Sequence, residues 1–134
     1  MENLSKRILV VDDTDSNRSL LSILLEREGY NVIAVSSGKE ALTACNDNNI
    51  DLCLLDIKMP GMSGFELVTH LQKNEKTASI PFVFVSSSDN KNSVLKGMYL
   101  GAIDYISKPI APKNFIRKVK FYFEFIQMEE QASS

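Results

Sequence analysis

The chain has 134 residues, 44% of them hydrophobic and 24% charged, with a formal net charge of −2. That length suits one domain with a real core, and the composition is that of an ordinary soluble globular protein. The charge balance shows none of the excess Lys and Arg of a nucleic-acid surface, so no nucleic-acid partner is expected. No apolar stretch approaches a membrane span, and no apolar region follows the basic residues of MENLSKR, so a cytoplasmic protein without a membrane partner is expected. Cys45 and Cys53 lack CxxC spacing and read as reduced thiols, Cys53 as core filling.

Five short apolar runs alternate with five longer segments of helical pattern. Arg7–Val11 reads as a strand, followed by a helix over about Asp15–Glu28 that Gly29 closes. Asn31–Val35 is the second strand, and Ser37 with Glu40 forms a capping box for a helix to about Asn46. Asp51–Leu55 is the third strand. A loop holding Pro60, Gly61 and Gly64 leads to a second box, Ser63 with Glu66, and a helix to about Lys73. Phe82–Val85 is the fourth strand, followed by a helix over Lys91–Leu100 that Gly101 stops. Asp104–Ile106 is a brief fifth strand, and Pro112 opens a last helix to about Met128, leaving Glu129–Ser134 as an expected disordered tail. Strict strand–helix alternation with short loops predicts an α/β fold: a five-stranded parallel sheet with right-handed crossovers and helices on both faces. The chain 1–134 is expected to be one domain, with its core over 7–125.

In such sheets the functional crevice lies beyond the carboxyl ends of the strands. Asp12, Asp13, Asp56, Ser86 and Lys108 all fall at or just past those ends. Three carboxylates gathered in a small volume repel one another unless a cation joins them, and Mg²⁺ suits two carboxylates, a carbonyl and waters. Asp13 and Asp56 are the expected direct ligands, with Asp12 acting through water and the main-chain carbonyl of Lys58 completing the protein's share. Lys108 adds an ammonium and Ser86 a hydroxyl. Carboxylate, metal, ammonium and hydroxyl together are what phosphoryl transfer needs, and Asp56, placed between the other groups, takes the nucleophile's role. His70 has no ligand-spaced neighbours and reads as a surface residue.

The segments VVDDTDSNR, LLDIKMPGMSG, FVSSS and GAIDYISKP resemble the receiver domain of response regulators in two-component signalling, over about Arg7 to Phe125. The likeness extends to stand-alone chemotaxis regulators and to phosphorelay intermediates. It implies a flavodoxin-like (βα)5 sandwich and Mg²⁺-dependent transfer of a phosphoryl group from a histidine kinase or phosphotransfer protein to Asp56. It also implies a switch hydroxyl at Ser86, a salt-bridging lysine at Lys108, a switch aromatic at Tyr105, and a cis peptide bond before Pro109. No substrate turnover beyond the domain's own phosphorylation and dephosphorylation is implied. Lys58 departs from the common pattern, which often has Met, Asn or another less charged residue there.

The last helix carries a separate signal. At roughly 100° per residue, Phe115, Ile116, Val119, Tyr122, Phe123 and Ile126 form one broad core face. Phe121, Phe125 and Met128 fall on the opposite side, which predicts a homodimer or a docked partner there. Three other readings compete with that of a phosphoaccepting receiver. A phosphatase of the haloacid dehalogenase type wants a second acid where Lys58 stands. A flavin carrier wants a Ser/Thr/Gly-rich phosphate loop where Asp12–Asp13–Thr14–Asp15 stands. A degenerate receiver, acting as a binding or dimerisation module without phosphorylation, is the alternative that the intact acid set disfavours.

Overall fold

A computed structural model describes residues 6–88 and 90–133. Its elements run β1 (Arg7–Val11), α1 (Asp15–Arg27), β2 (Asn31–Val35), α2 (Gly38–Asp47), β3 (Leu52–Leu55), α3 (Gly64–Gln72), β4 (Phe82–Ser86), α4 (Lys91–Tyr99), β5 (Asp104–Ser107) and α5 (Pro112–Ser133). All strand pairs are parallel, in the order β2-β1-β3-β4-β5. This is the five-stranded parallel α/β sandwich expected from the alternation.

The two-residue period of the strands explains the two cores. In β1, Leu9 and Val11 face one side of the sheet, where they meet Ala41 and Cys45 of α2 and Leu67, Val68 and Leu71 of α3. Ile8 and Val10 face the other, where Leu21 and Leu25 of α1 and Phe115, Val119 and Tyr122 of α5 cover them. Because both faces are covered, the central strands are apolar apart from Arg7 and Ser86 at their ends, and β3 and β4 are buried at every position. Each such aliphatic or aromatic side chain contributes about 1.5–3 kcal/mol of transfer free energy on burial. Burial also pushes the Cys45 thiol up to about 11, which keeps it protonated and unreactive at neutral pH. Among the described residues, no helix is long and apolar enough to cross a membrane.

The element ends depart from expectation for local reasons. β3 starts at Leu52 rather than Asp51, because the Asp51 carboxylate turns to accept the Arg7 amide at 2.8 Å. β4 and β5 each run one residue further, since Ser86 pairs with Ser107. The Ser63–Glu66 capping box forms in full. At Ser37 only half of the expected box forms: its hydroxyl caps Glu40, while the Glu40 carboxylate accepts from the amide and hydroxyl of Ser36. Gly29 and Gly101 follow α1 and α4 at φ 93° and 101°, left-handed values that end a helix without Cβ strain. The largest difference is at the C-terminus. Where a disordered tail from Glu129 was expected, α5 continues as helix to Ser133, its last turns being rich in the helix formers Glu, Gln and Ala; Ser134 lies outside the described residues.

Candidate functional site

The carboxyl ends of β1, β3, β4 and β5 converge because parallel strands in one sheet all end on the same edge. There Asp12 and Asp56 are buried, Asp13 is exposed, and carboxylate oxygens of all three lie within 4.8 Å of one another. The Lys108 ammonium joins two of them, 2.6 Å from Asp12 Oδ2 and 3.1 Å from Asp56 Oδ2. Burial alone would lower the lysine's pKa. The hydrogen bonds and charges of Asp12 and Asp56 outweigh that and hold it above its ordinary value. Three carboxylates against one ammonium leave a formal surplus of two negative charges, which a hard divalent cation would neutralise.

The acids are not equivalent. Asp12 is committed at both side-chain oxygens, Oδ1 accepting the Thr14 amide at 2.9 Å and Oδ2 accepting from Lys108. Asp56 Oδ1 accepts its neighbour's amide, Ile57 N–H, at 2.7 Å. Asp13 presents its carboxylate to solvent. Oxygen donors of mixed burial, with an exposed carboxylate between solvent and the buried pair, suit Mg²⁺, which keeps several waters when bound.

Ser86 is almost fully buried at the end of β4, and its hydroxyl oxygen accepts the Ser88 amide at 3.1 Å. The Lys108 amide donates to the Ser86 carbonyl at 3.0 Å, and the peptide bond between Lys108 and Pro109 is cis, as the resemblance implied. Tyr105 is half-buried beside Phe84, with centroids 6.2 Å apart, and its hydroxyl donates to the Ser88 carbonyl. Ser88 therefore touches both expected switch residues, and its own hydroxyl lies 3.3 Å from that of Ser93 in α4. Lys58 is exposed in the loop after β3.

The sequence assigns no role at this edge to Arg18 or Gly64, yet both bear on it. Arg18 reaches back from α1 to the Asp12 carbonyl. Its position one turn into the helix was the available signal, since helical side chains lean toward the N-terminus. Gly64 lies so close to Asp56 that a Cβ would fall on the Asp56 carbonyl oxygen. At the opposite end of the sheet, where β5 begins, Tyr122, buried on α5, donates to Asp104 at 2.6 Å; burial first, then this bond, pushes its phenol well above the usual range.

A groove of about 580 Å³ lies at the other end of the molecule, where Ile50, Pro81, Ile103 and Phe125 share the lining with charged residues such as Lys76 and Glu130. Ile50, Pro81 and Ile103 precede β3, β4 and β5, so this groove and the acidic edge are separate. On α5, Phe121 and Met128 are 58% and 66% exposed and Phe125 is 37% exposed.

Comparison with known proteins agrees with this geometry. The model of the response regulator receiver domain matches residues 8–120. The phosphate regulon transcriptional regulatory protein PhoB of Pseudomonas aeruginosa is 33% identical over 117 residues, 87% of this chain and 51% of that protein. The DNA-binding response regulator MtrA of Mycobacterium tuberculosis is 36% identical over 120 residues, covering 90% and 51%. The chain thus spans about half the length of the curated relatives it matches, and the DNA binding in the second name is a statement about that protein. Among solved structures, a CheY-like receiver domain protein from Methanospirillum hungatei superposes with a TM-score of 0.85 at 30% identity, covering 92% of this chain and 98% of that one. The chemotaxis protein CheY4 of Vibrio cholerae gives 0.81 at 27% identity, covering 86% and 96%. With the acid cluster, the bridging lysine and the match over residues 8–120 together, the chain belongs to the response-regulator receiver-domain family.

Proposed function

We propose that Asp56 is the phosphoacceptor of a cytoplasmic receiver that takes its phosphoryl group from the phosphohistidine of a histidine kinase or phosphotransfer protein. The observation that carries this reading is the Lys108 ammonium spanning Asp12 and Asp56 within a cluster of three carboxylates. An Asp56 carboxylate oxygen attacks phosphorus. The bond from phosphorus to the imidazole nitrogen breaks, its electron pair stays on the imidazole, and an acyl phosphate forms on Asp56. Asp13, Asp56 and the Lys58 carbonyl are the residues to hold Mg²⁺ directly, with Asp12 acting through water. Bound there, the ion supplies positive charge against the phosphoryl oxygens. Lys108 adds a second positive charge, and the Ser86 hydroxyl moves toward the phosphoryl group to donate to one of its oxygens. Movement of Ser86 then alters the loop that Ser88 shares with Tyr105, which is how one new charged group biases a two-state surface. No separate substrate is turned over.

Incubation of the chain with a small-molecule phosphodonor and Mg²⁺ is expected to add one phosphoryl group, read by intact mass, and Asp56→Asn is expected to take none. A native chain that gains no mass would favour the degenerate, phosphorylation-independent receiver.

The exposed stripe Phe121, Phe125 and Met128 supports a second element of this reading, a homodimer through α5. Light scattering of the phosphorylated chain is expected to give a dimer, and Phe121→Glu/Phe125→Glu a monomer. An unchanged oligomeric state in the double variant would exclude this face as the interface.

A further inference from the structure

Every polar atom of Asp12 is engaged, and one of the bonds comes from a side chain outside the acid cluster. The Asp12 amide donates to the Val35 carbonyl at 3.2 Å, Oδ1 accepts from Thr14, and Oδ2 accepts from Lys108. The remaining atom, the Asp12 carbonyl oxygen, accepts Nη1 of Arg18 at 2.8 Å. Nη2 of the same guanidinium pairs with Asp15, and the arginine side chain is 21% exposed. Arg18 thus ties the start of α1 to the end of β1 across the loop that carries Asp13.

That carbonyl belongs to the peptide bond joining Asp12 to Asp13. The peptide unit is planar, so holding its oxygen also holds the nitrogen and Cα of Asp13, which narrows the directions that rotation about φ and χ1 leaves open to the exposed Asp13 carboxylate. No such anchor for the Asp13 side chain occurs among the described contacts, and it is exposed, whereas Asp12 is buried. A guanidinium this close to a cation site has two effects of opposite sign. Its charge repels a divalent ion, and its hydrogen bond orients the ligand that would bind one. Here the charge is offset by the Asp15 carboxylate, while the bond to the carbonyl has no substitute among the described contacts.

We infer that Arg18 is a positioning residue for the divalent-cation site: it acts through the Asp12–Asp13 peptide to aim the Asp13 carboxylate. The inference rests on the phosphoacceptor reading above, which supplies the metal. Removing an outer partner that orients a metal ligand weakens binding on the order of tenfold. Loss of a nearby positive charge alone would tighten it.

The two effects therefore separate by the sign of one measurement, titration calorimetry of the chain with Mg²⁺ alone. Arg18→Met is expected to bind on the order of tenfold more weakly than the native chain, with the number of sites per chain unchanged. Arg18→Lys, which can return a single donor to the Asp12 carbonyl, is expected to fall between the two. Equal or tighter binding by Arg18→Met overturns the inference. So does a loss of binding-competent chains at native affinity, which is what a purely structural role would produce. A native chain that binds no Mg²⁺ defeats the phosphoacceptor reading itself and this inference with it, an outcome distinct from native binding with an indifferent Arg18→Met.

Discussion

Alanine at position 108 is expected to lower stability by about 3 kcal/mol in Mg²⁺-free buffer, because it strands two buried carboxylates that share one counter-ion. Asp12 and Asp56 are 1% and 8% exposed, and Lys108 Nζ is the cation hydrogen-bonded to both. An exposed ion pair would be worth a fraction of that, so the size of the loss reports how thoroughly this edge is withdrawn from water. Mg²⁺ offers a replacement cation, so the gap between native and Lys108→Ala chains should narrow when the ion is added. Urea unfolding with and without Mg²⁺ measures both numbers; a gap that Mg²⁺ leaves untouched would mean that Lys108 stabilises by packing its stem, not by neutralising the acids. The pH dependence has a definite sign. A lysine whose folded pKa is raised contributes fully below its ordinary value of 10.5, and loses that contribution only as pH climbs through the higher folded value. The Mg²⁺-free gap should therefore stay constant from neutral pH to about 10 and close above it.

Gly64→Ala is expected to be the most damaging single-methyl change near the site. A Cβ there would overlap the Asp56 carbonyl oxygen and lie 3.0 Å from the Asp56 carbonyl carbon and from Ile57 Cα, all of them backbone atoms that cannot rotate aside. The Gly64 amide also donates to the Ile57 carbonyl at 2.8 Å, which holds the start of α3 against the end of β3. Relief requires moving Asp56 or breaking that bond. The cost should sit at the upper end for overpacking, about 3 kcal/mol, with weakened Mg²⁺ binding alongside. Gly61→Ala is the control. Gly61 has φ +83° and open space around it, so alanine there should cost about 1–2 kcal/mol of backbone strain and leave Mg²⁺ affinity near native. Urea midpoints and calorimetric affinities for the pair decide it. Equal Mg²⁺ affinity in Gly64→Ala and native chains would show that the β3–α3 contact does not place Asp56.

The two glycines show where reading the chain ends. In the sequence both are loop glycines before a helix; in the fold one gives conformational freedom and the other clearance. Clearance depends on what lies opposite, and what lies opposite Gly64 is eight residues away and brought there by the turn after β3. Arg18 is similar. Its helix was legible from the 3.6-residue period, but its bond to the Asp12 carbonyl depends on how α1 is set on the sheet. The half-formed box at Ser37 is a local miss, since Ser36 and Ser37 compete for one carboxylate and the spacing rule names only one of them. The length of α5 is another. Propensity in its last turns prevailed over the general tendency of chain ends to fray.

What the amino-acid order determined by itself was everything with a short period or a terminal signal: the strand–helix alternation, the two-sided burial of β3 and β4, the caps, and the placement of Asp12, Asp13, Asp56, Ser86 and Lys108 at strand ends. Parallel topology then brings all the strand ends to one edge, so the alternation alone groups those five residues. Only the tertiary structure decided their separate states. It buried Asp12 and Asp56, left Asp13 in water, set Lys108 between two acids 96 and 52 residues away in the chain, and joined Ser86 to Tyr105 through Ser88. Burial and pairing depend on distance and dielectric between groups remote in sequence, and those exist only once the sheet has formed.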